Sequence, residues 1–423
     1  MTAHEDNVLL DLVRGSLDHC VKCTICETHC PYSNVTSLFP GPKYVGPQAE
    51  RFRTGEEVTP DASVDYCSSC GICTKVCPQG VHIAEINTRA KAKLAEAEGV
   101  PLRNQLLGRP DKLGMLGTPV APLANWTLAN KPLRAVAQKV LGIHKDAALP
   151  KFASTTFQRW AKRHAAPSSA TKEVVFFHGC GTNYYEPDLG EKTVAILEHN
   201  GFKVTVPKQG CCGLPLQSNG IFPAGRAYSK RLAKHLAPHA REGKTIVGVA
   251  TSCTLMVKRE AREILGLDED PDVRVVSEHT FDICEFLLDL HEEGRLDTGF
   301  GRIDLELPYH APCQLRSHGI GLPAMDLFAL VPGLRAVDMD HDCCGIAGTY
   351  GLKKEKYDIA MRVGEDLFRR VEASGVAETA CDSETCRWQL AAATDRPSRH
   401  PVEYLAAAYA AADAAGTATA PAH

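Results

Sequence analysis

The sequence predicts a mixed α+β/α/β protein with a small cysteine-rich helical head and a larger body that uses one α/β unit twice. Three observations predict it. A four-cysteine run occurs twice within the first 80 residues. From about residue 171, short apolar runs alternate with helical patterns, the signature of parallel βαβ units. Within that region a second cysteine pattern recurs, its paired cysteines 211–212 and 343–344 lying 132 positions apart.

The head comes first, over residues 1–95. Its runs are Cys20-x2-Cys23-x2-Cys26-x3-Cys30-Pro31 and Cys67-x2-Cys70-x2-Cys73-x3-Cys77-Pro78. Thiolates at i, i+3 and i+6 lie along one tight turn and can hold three irons of a 4Fe–4S cube. The fourth, led away by the proline, ligates the other cluster in such paired runs. The expected sets are therefore Cys20, Cys23, Cys26 and Cys77 for one cube, and Cys67, Cys70, Cys73 and Cys30 for the second. Structural zinc is the weaker alternative, because zinc sites use separated Cys-x2-Cys pairs. The head thus reads as a helical two-cluster ferredoxin-like domain, ending in a helix across Ile86–Leu94. The piece Phe39–Pro47 between the runs is kept irregular by its prolines and glycines.

Bulk properties narrow the class. The chain has 423 residues, long enough for two or three domains, with 44% hydrophobic and 23% charged residues. Met1–Ser16 lacks a secretory pattern, so the cysteines are expected in a reducing compartment and as metal ligands rather than disulfides. No run approaches 18 apolar residues, so no spanning helix is expected. A net charge of −4 argues against nucleic acid as a partner.

Residues 96–170 are expected as a basic helical connector. Six prolines, from Pro101 to Pro150, divide it into short helices. Between Pro101 and Ala165 it holds eleven Lys or Arg against only Asp111 and Asp146, suggesting a surface for an anionic membrane or partner. At 100° per residue, Ala153, Phe157, Trp160 and Ala161 share a face opposite Arg159, Lys162 and Arg163. That pattern reads either as membrane-anchoring aromatics or as aromatics packed on the domain below.

The body spans a first repeat at 171–300 and a second at 301–410, with a frayed tail at 411–423. In the first, Val174–Phe177, Lys203–Val206 and Thr245–Val249 read as strands, and Lys192–His199 and Ala224–Ala240 as helices. In the second, Leu305–His310, Leu334–Met339 and Val376–Ala380 read as strands, and Lys353–Ala373 as a helix. Leu405–Ala412 extends a last helix. The recurring cysteines are Cys180, Cys211, Cys212 and Cys253, then Cys313, Cys343, Cys344 and Cys386. They follow strands or sit in turns, which gather at the carboxyl ends of a parallel sheet where ligands bind. Each set of four can hold one further iron–sulfur cluster, with zinc or structural thiols as the alternative. Cys284 is expected as a buried small hydrophobe; Cys381, two residues before Ser383, is read as a packing residue with a fifth ligand as the alternative. His178 and His310 are expected as hydrogen-bonded strand-end residues.

This duplicated Cys…Cys-Cys-Gly…Cys pattern resembles the Cys-Cys-Gly domain of heterodisulfide reductases and related electron-transfer subunits. The first run Cys20–Cys26, Pro40-Gly41-Pro42-Lys43, Thr118-Pro119-Val120-Ala121-Pro122 and Leu149-Pro150-Lys151-Phe152 narrow the likeness. With them the chain resembles one family, the iron–sulfur electron-transfer subunits of anaerobic glycerol-3-phosphate dehydrogenases. The resemblance implies a two-cluster ferredoxin-like head followed by a duplicated α/β Cys-Cys-Gly domain. It also implies a role in carrying electrons from a flavin-containing dehydrogenase partner to membrane quinone, peripheral on the inner, cytoplasmic face of the cell membrane. No catalytic residue and no substrate-oxidising site are expected in this chain, since Gly179-Cys180-Gly181 falls short of a nucleotide fingerprint. The alternatives are an iron–sulfur subunit of a lactate or glycolate oxidation complex, a heterodisulfide-reductase-like thiol/disulfide oxidoreductase, or a soluble iron–sulfur carrier. The full Cys-Cys-Gly motif supplies five thiolates, whereas here Met256 and Ser383 each replace one, which weakens the oxidoreductase reading.

Overall fold

A computed structural model describes residues 11–54, 57–167, 170, 172–414 and 416. In the head the two runs fold alike. Lys22 and Thr24 in the first, and Ser69 and Gly71 in the second, take positive φ at corresponding positions. This turns successive backbone N–H groups toward one point, a shape suited to an anionic centre. The following helix is longer than expected, Ile83–Glu98 (α1), and buries Ile83, Ile86, Ala90 and Leu94 against the runs.

The connector forms α2 (Leu102–Leu107), α3 (Pro110–Gly117), α4 (Ala121–Ala129) and α5 (Lys131–Leu141). Pro110, Pro122 and Pro132 each occupy the first turn of their helix, where a missing N–H is tolerated. The aromatic segment yields only one helical turn, Phe157–Ala161. Phe157 is fully buried, edge-on to Phe176 at 5.4 Å, and Trp160 stacks on His164. A phenyl ring seated in the protein core cannot enter a bilayer, so the membrane-anchoring alternative fails for Phe157.

Two four-stranded parallel sheets follow. The first contains β1 (Lys172–Phe177), β2 (Phe202–Thr205), β3 (Thr245–Gly248) and β4 (Thr280–Asp282), in the order β2-β1-β3-β4. Helices α6 (Pro187–His199) and α7 (Phe222–Arg241) connect them, and α8 (Ile283–Glu292) leaves β4 through a capping box of Asp282 and Glu285. The second contains β5 (Leu305–Tyr309), β6 (Leu334–Asp338), β7 (Thr379–Ala380) and β8 (Ser398–Arg399), in the same order, β6-β5-β7-β8. Its longer helices are α9 (Pro323–Ala329), α10 (Tyr357–Ala373), α11 (Glu384–Thr394) and α12 (Pro401–Ala414). The last helix runs through the expected start of the frayed tail at 411; of residues 415–423, all but Gly416 lie outside the described residues.

The repeats are not separate globules. One hydrophobic core includes Val174, Phe176, Val247 and Ile283 of the first repeat with Leu307, Tyr309, Leu327 and Leu405 of the second. Helix α12 of the second repeat packs on α6 of the first. In each sheet the chain order reverses direction between the first and third strands, β1 and β3 or β5 and β7. That reversal opens a crevice at their carboxyl ends.

Candidate cluster-binding sites

All 18 cysteines are free thiols, and 17 of them, all but Cys284, converge in four groups. In the head, one small cavity is lined by Cys20, Cys23, Cys26 and Cys77, and a second by Cys30, Cys67, Cys70 and Cys73. Each group takes its fourth cysteine from the other run. The two groups differ in setting. Cys23 is exposed and Cys20 and Cys77 are half-buried, whereas all four cysteines of the second group are buried. The second group faces the body. Its Cys30, Cys67 and Cys70 share one apolar cluster with Cys313 and Cys343, and the Ser317 hydroxyl donates to the Cys70 carbonyl at 3.2 Å. The Tyr32 hydroxyl donates to the Gly345 carbonyl at 3.0 Å and lies 3.8 Å from Cys343 Sγ.

In the first repeat, Cys180 and Cys253 follow β1 and β3, the two strands that flank the crevice. Cys211 and Cys212 come from the turn before Gly213, and Cys212 Sγ lies 3.4 Å from Cys253 Sγ. All four are buried. Met256, in the motif position of a missing thiolate, is fully buried in the adjoining core. In the second repeat Cys313 follows β5, Cys343 and Cys344 precede Gly345, and Cys386 sits on the first turn of α11.

Both motif glycines have left-handed backbone, φ +95° at Gly213 and +86° at Gly345. A Cβ at Gly345 would lie 1.8 Å from the Ala360 carbonyl oxygen in α10, and one at Gly213 2.9 Å from the Gly225 carbonyl oxygen. Glycine therefore permits both the turn and the close packing of a helix behind each cysteine pair.

Two residues read as structural in the sequence lie at the second repeat's thiols. Cys381, expected as a packing residue, is gathered with Cys386 and His310 so that their ligand atoms all fall within 4.8 Å. This group thus holds five cysteines, with Cys381 beside the place where Ser383 interrupts the motif. A Cys at i and another at i+5 straddling the strand-to-helix turn was the available signal. Cys284, by contrast, is fully buried in the shared core, as the apolar pattern around it implies. His178 is hydrogen-bonded through Nδ1 to the Gly179 carbonyl at 2.6 Å, and burial pushes it down to about 4.

The donor chemistry fits iron–sulfur clusters: soft sulfur ligands in groups of four or more, with no disulfide among them. Burial pushes the Cys26 thiol up to about 11, so ligation by it must displace a proton. Cys386 is pulled down by hydrogen bonds from Cys344 and Cys381. Around the second head group lies a buried basic nest. Lys91 Nζ donates to the Cys67 carbonyl at 2.6 Å and Lys356 Nζ to the Asp65 carbonyl at 2.6 Å. Burial, with Lys356 and Lys91 nearby, pushes Lys353 down to about 6.

Comparison with known proteins agrees with this anatomy. The family described as "4Fe-4S dicluster domain" matches residues 16–81, and the family described as "Cysteine-rich domain" matches 174–258 and 307–391. The C component of anaerobic glycerol-3-phosphate dehydrogenase from Escherichia coli (strain K12) is 36% identical over 398 residues, 93% of this chain and 99% of that protein. "Lactate utilization protein A" of Exiguobacterium is 30% identical over 221 residues, 48% of this chain and 86% of that protein. The B component of fumarate reductase (CoM/CoB) from Methanothermobacter marburgensis is 28% identical over 48% of this chain and 39% of its own length. Identity at this level over nearly the full length of both proteins, with the dicluster and cysteine-rich domains present, places this iron–sulfur chain in the family of the anaerobic glycerol-3-phosphate dehydrogenase C component.

Proposed function

We propose that the chain conducts electrons from a flavin-containing glycerol-3-phosphate dehydrogenase partner to membrane quinone. The observation that carries this reading is the ordering of the thiol groups from surface to interior. The group of Cys20, Cys23, Cys26 and Cys77 reaches the surface and is the entry point. The group of Cys30, Cys67, Cys70 and Cys73 lies behind it, and its Cys30, Cys67 and Cys70 share an apolar cluster with Cys313 and Cys343. Each head group holds a 4Fe–4S cube with a crossed fourth ligand. Each repeat holds one further centre, on Cys180, Cys211, Cys212 and Cys253 and on Cys313, Cys343, Cys344 and Cys386. Cys381 stands as a candidate fifth ligand in the second. The clusters supply one-electron redox chemistry; the protein's part is to fix their spacing, exclude water and set potentials through burial and nearby charge.

Attachment to the inner face of the membrane is supported by the connector. No helix among the described residues is long and apolar enough to cross a membrane. Helix α5 has no buried residue, and Leu133, Val136 and Val140 are exposed along one face. Leu116, Leu123 and Trp126 on α3 and α4 are exposed too, at 69%, 63% and 58%. From Lys112 to Lys145 the chain has five Lys or Arg and no acid. An apolar face within an acid-free basic stretch suits an anionic bilayer, where each basic residue near the surface contributes roughly 1 kcal/mol.

The test is substrate-driven reduction. The anaerobically purified protein is mixed with a flavin-containing glycerol-3-phosphate dehydrogenase, and cluster bleaching is followed on adding glycerol 3-phosphate. Bleaching by glycerol 3-phosphate and reoxidation by a quinone support the reading. Bleaching by lactate instead would assign the chain to a lactate-oxidising complex, the reading that the similarity to "Lactate utilization protein A" favours.

A further inference from the structure

A cavity of about 330 Å³ lies where the second head group, both repeats and the connector meet. Its floor includes Cys180 and Cys253 of the first repeat and Cys313, Cys344 and Cys386 of the second. The same lining carries the apolar side chains of Leu113, Leu128, Leu149, Phe152 and Leu352, with Trp388. Cluster ligation engages the cysteines and gives these apolar side chains no role.

The wall chemistry selects an occupant. The lining includes Glu260 and Glu384 but no Lys, Arg or His. An anion such as glycerol 3-phosphate, lactate or a sulfonated thiol would enter beside carboxyls with no cation to hold it, which is strongly unfavourable at low dielectric. A neutral ring with an apolar tail meets matching walls. Gln314 stands in the lining with a buried side-chain oxygen that lacks a partner, so its amide is free to turn toward a polar ring substituent. The cavity also continues to the proposed membrane face: Leu113 and Leu128 line it from α3 and α4, the helices whose Leu116, Leu123 and Trp126 are exposed.

We propose that this cavity is an isoprenoid-quinone site, with the ring held between the cysteine groups of the two repeats and the tail leaving between α3 and α4 toward the bilayer. The proposal rests on the quinone reading above and adds where in this chain the acceptor binds. In the step, the quinone takes two electrons, one at a time, from reduced clusters refilled by the partner's reduced flavin. It takes two protons from water and leaves as quinol. Each cluster returns to its oxidised state.

The experiment uses the full-length, cluster-loaded protein, reduced with dithionite under argon and then freed of excess reductant. An azido-naphthoquinone is photolysed with it, and labelled peptides are mapped with and without excess 2,3-dimethyl-1,4-naphthoquinone. Competed label on peptides carrying Leu113, Leu149–Phe152 or Trp388 is the expected result. Leu113→Trp should weaken naphthoquinone binding at least tenfold, leave the cluster EPR spectrum unchanged, and leave reoxidation by ferricyanide intact. The label map of the unaltered protein decides the matter even if that variant fails to fold. Competed label confined to another surface of the chain would overturn the site while leaving quinone reduction in place. Absence of both label and quinone reoxidation, with ferricyanide still active, would remove the quinone reading and this site with it.

Discussion

Replacing the motif glycines one at a time with alanine tests how the cysteine pairs are held. Both positions have positive φ, so either alanine meets the left-handed backbone penalty of about 1–2 kcal/mol. The sites then diverge. At Gly213 the new methyl group would lie 2.9 Å from the Gly225 carbonyl oxygen, and a shift of a few tenths of an ångström relieves it. At Gly345 the distance to the Ala360 carbonyl oxygen is 1.8 Å, so backbone must move by more than an ångström. That backbone belongs to α10, whose Ile359, Val363 and Leu367 are packed into the interior. Overpacking of this kind adds roughly 1–3 kcal/mol. We therefore expect Gly213→Ala to cost about 1–2 kcal/mol and Gly345→Ala about 2–5 kcal/mol. Urea unfolding of the anaerobic protein measures the difference, and EPR of the reduced protein shows which centre suffers. Gly345→Ala should selectively disturb the centre beside Cys343 and Cys344. Equal destabilisation by the two alanines, or a harmless Gly345→Ala, would refute the packing argument.

Crossed ligation in the head predicts how serine variants group. Cys77→Ser should give the same altered EPR spectrum as Cys23→Ser, and Cys30→Ser the same as Cys70→Ser; the opposite pairing would assign each run its own cluster. Lys353, held near 6 in the folded protein against 10.5 when exposed, binds its proton in the unfolded chain but not the folded one between those values. Stability should therefore rise with pH across that window, and Lys353→Met should flatten the rise and stabilise the protein at pH 7 by on the order of 1–3 kcal/mol; an unchanged pH slope in the variant's urea midpoint would count against this. The connector face predicts that Leu116→Glu combined with Trp126→Glu abolishes co-sedimentation with anionic vesicles, and that salt weakens binding of the unaltered chain. Binding that survives both changes would point to a protein partner elsewhere on the chain.

The parts of this architecture that depend on local spacing were readable from the sequence. Ligand triads at i, i+3 and i+6 fold within one turn, so the head's cysteine groups follow from residue type and interval. The longer strands and helices were equally visible, because α7 and α10 each carry a sustained apolar face. What escaped was short or non-local. Strand β4 has three residues and β8 two, too few for any period to register. For Cys381 the sequence left packing and a fifth-ligand role as alternatives, since its apposition to Cys386 and His310 arises from the turn between β7 and α11. The helical wheel through Phe157 correctly separated an apolar from a basic face. It could not say that strand β1, rather than lipid, covers the apolar one. The exposed face of α3 to α5 was hidden for the converse reason, because exposure depends on what the tertiary structure leaves uncovered.

The single core that joins the two repeats has an evolutionary consequence. Two identical subunits meeting around a two-fold axis must present identical sites, because any substitution appears in both. Joining the two copies in one chain lifts that constraint while the shared core keeps the halves in register. This chain has used the freedom. One half carries Met256 where a thiolate is missing, and the other carries Ser383 with Cys381 beside it. Two unequal centres can have unequal potentials, and a potential step gives current a preferred direction. Two identical centres would lack that intrinsic bias.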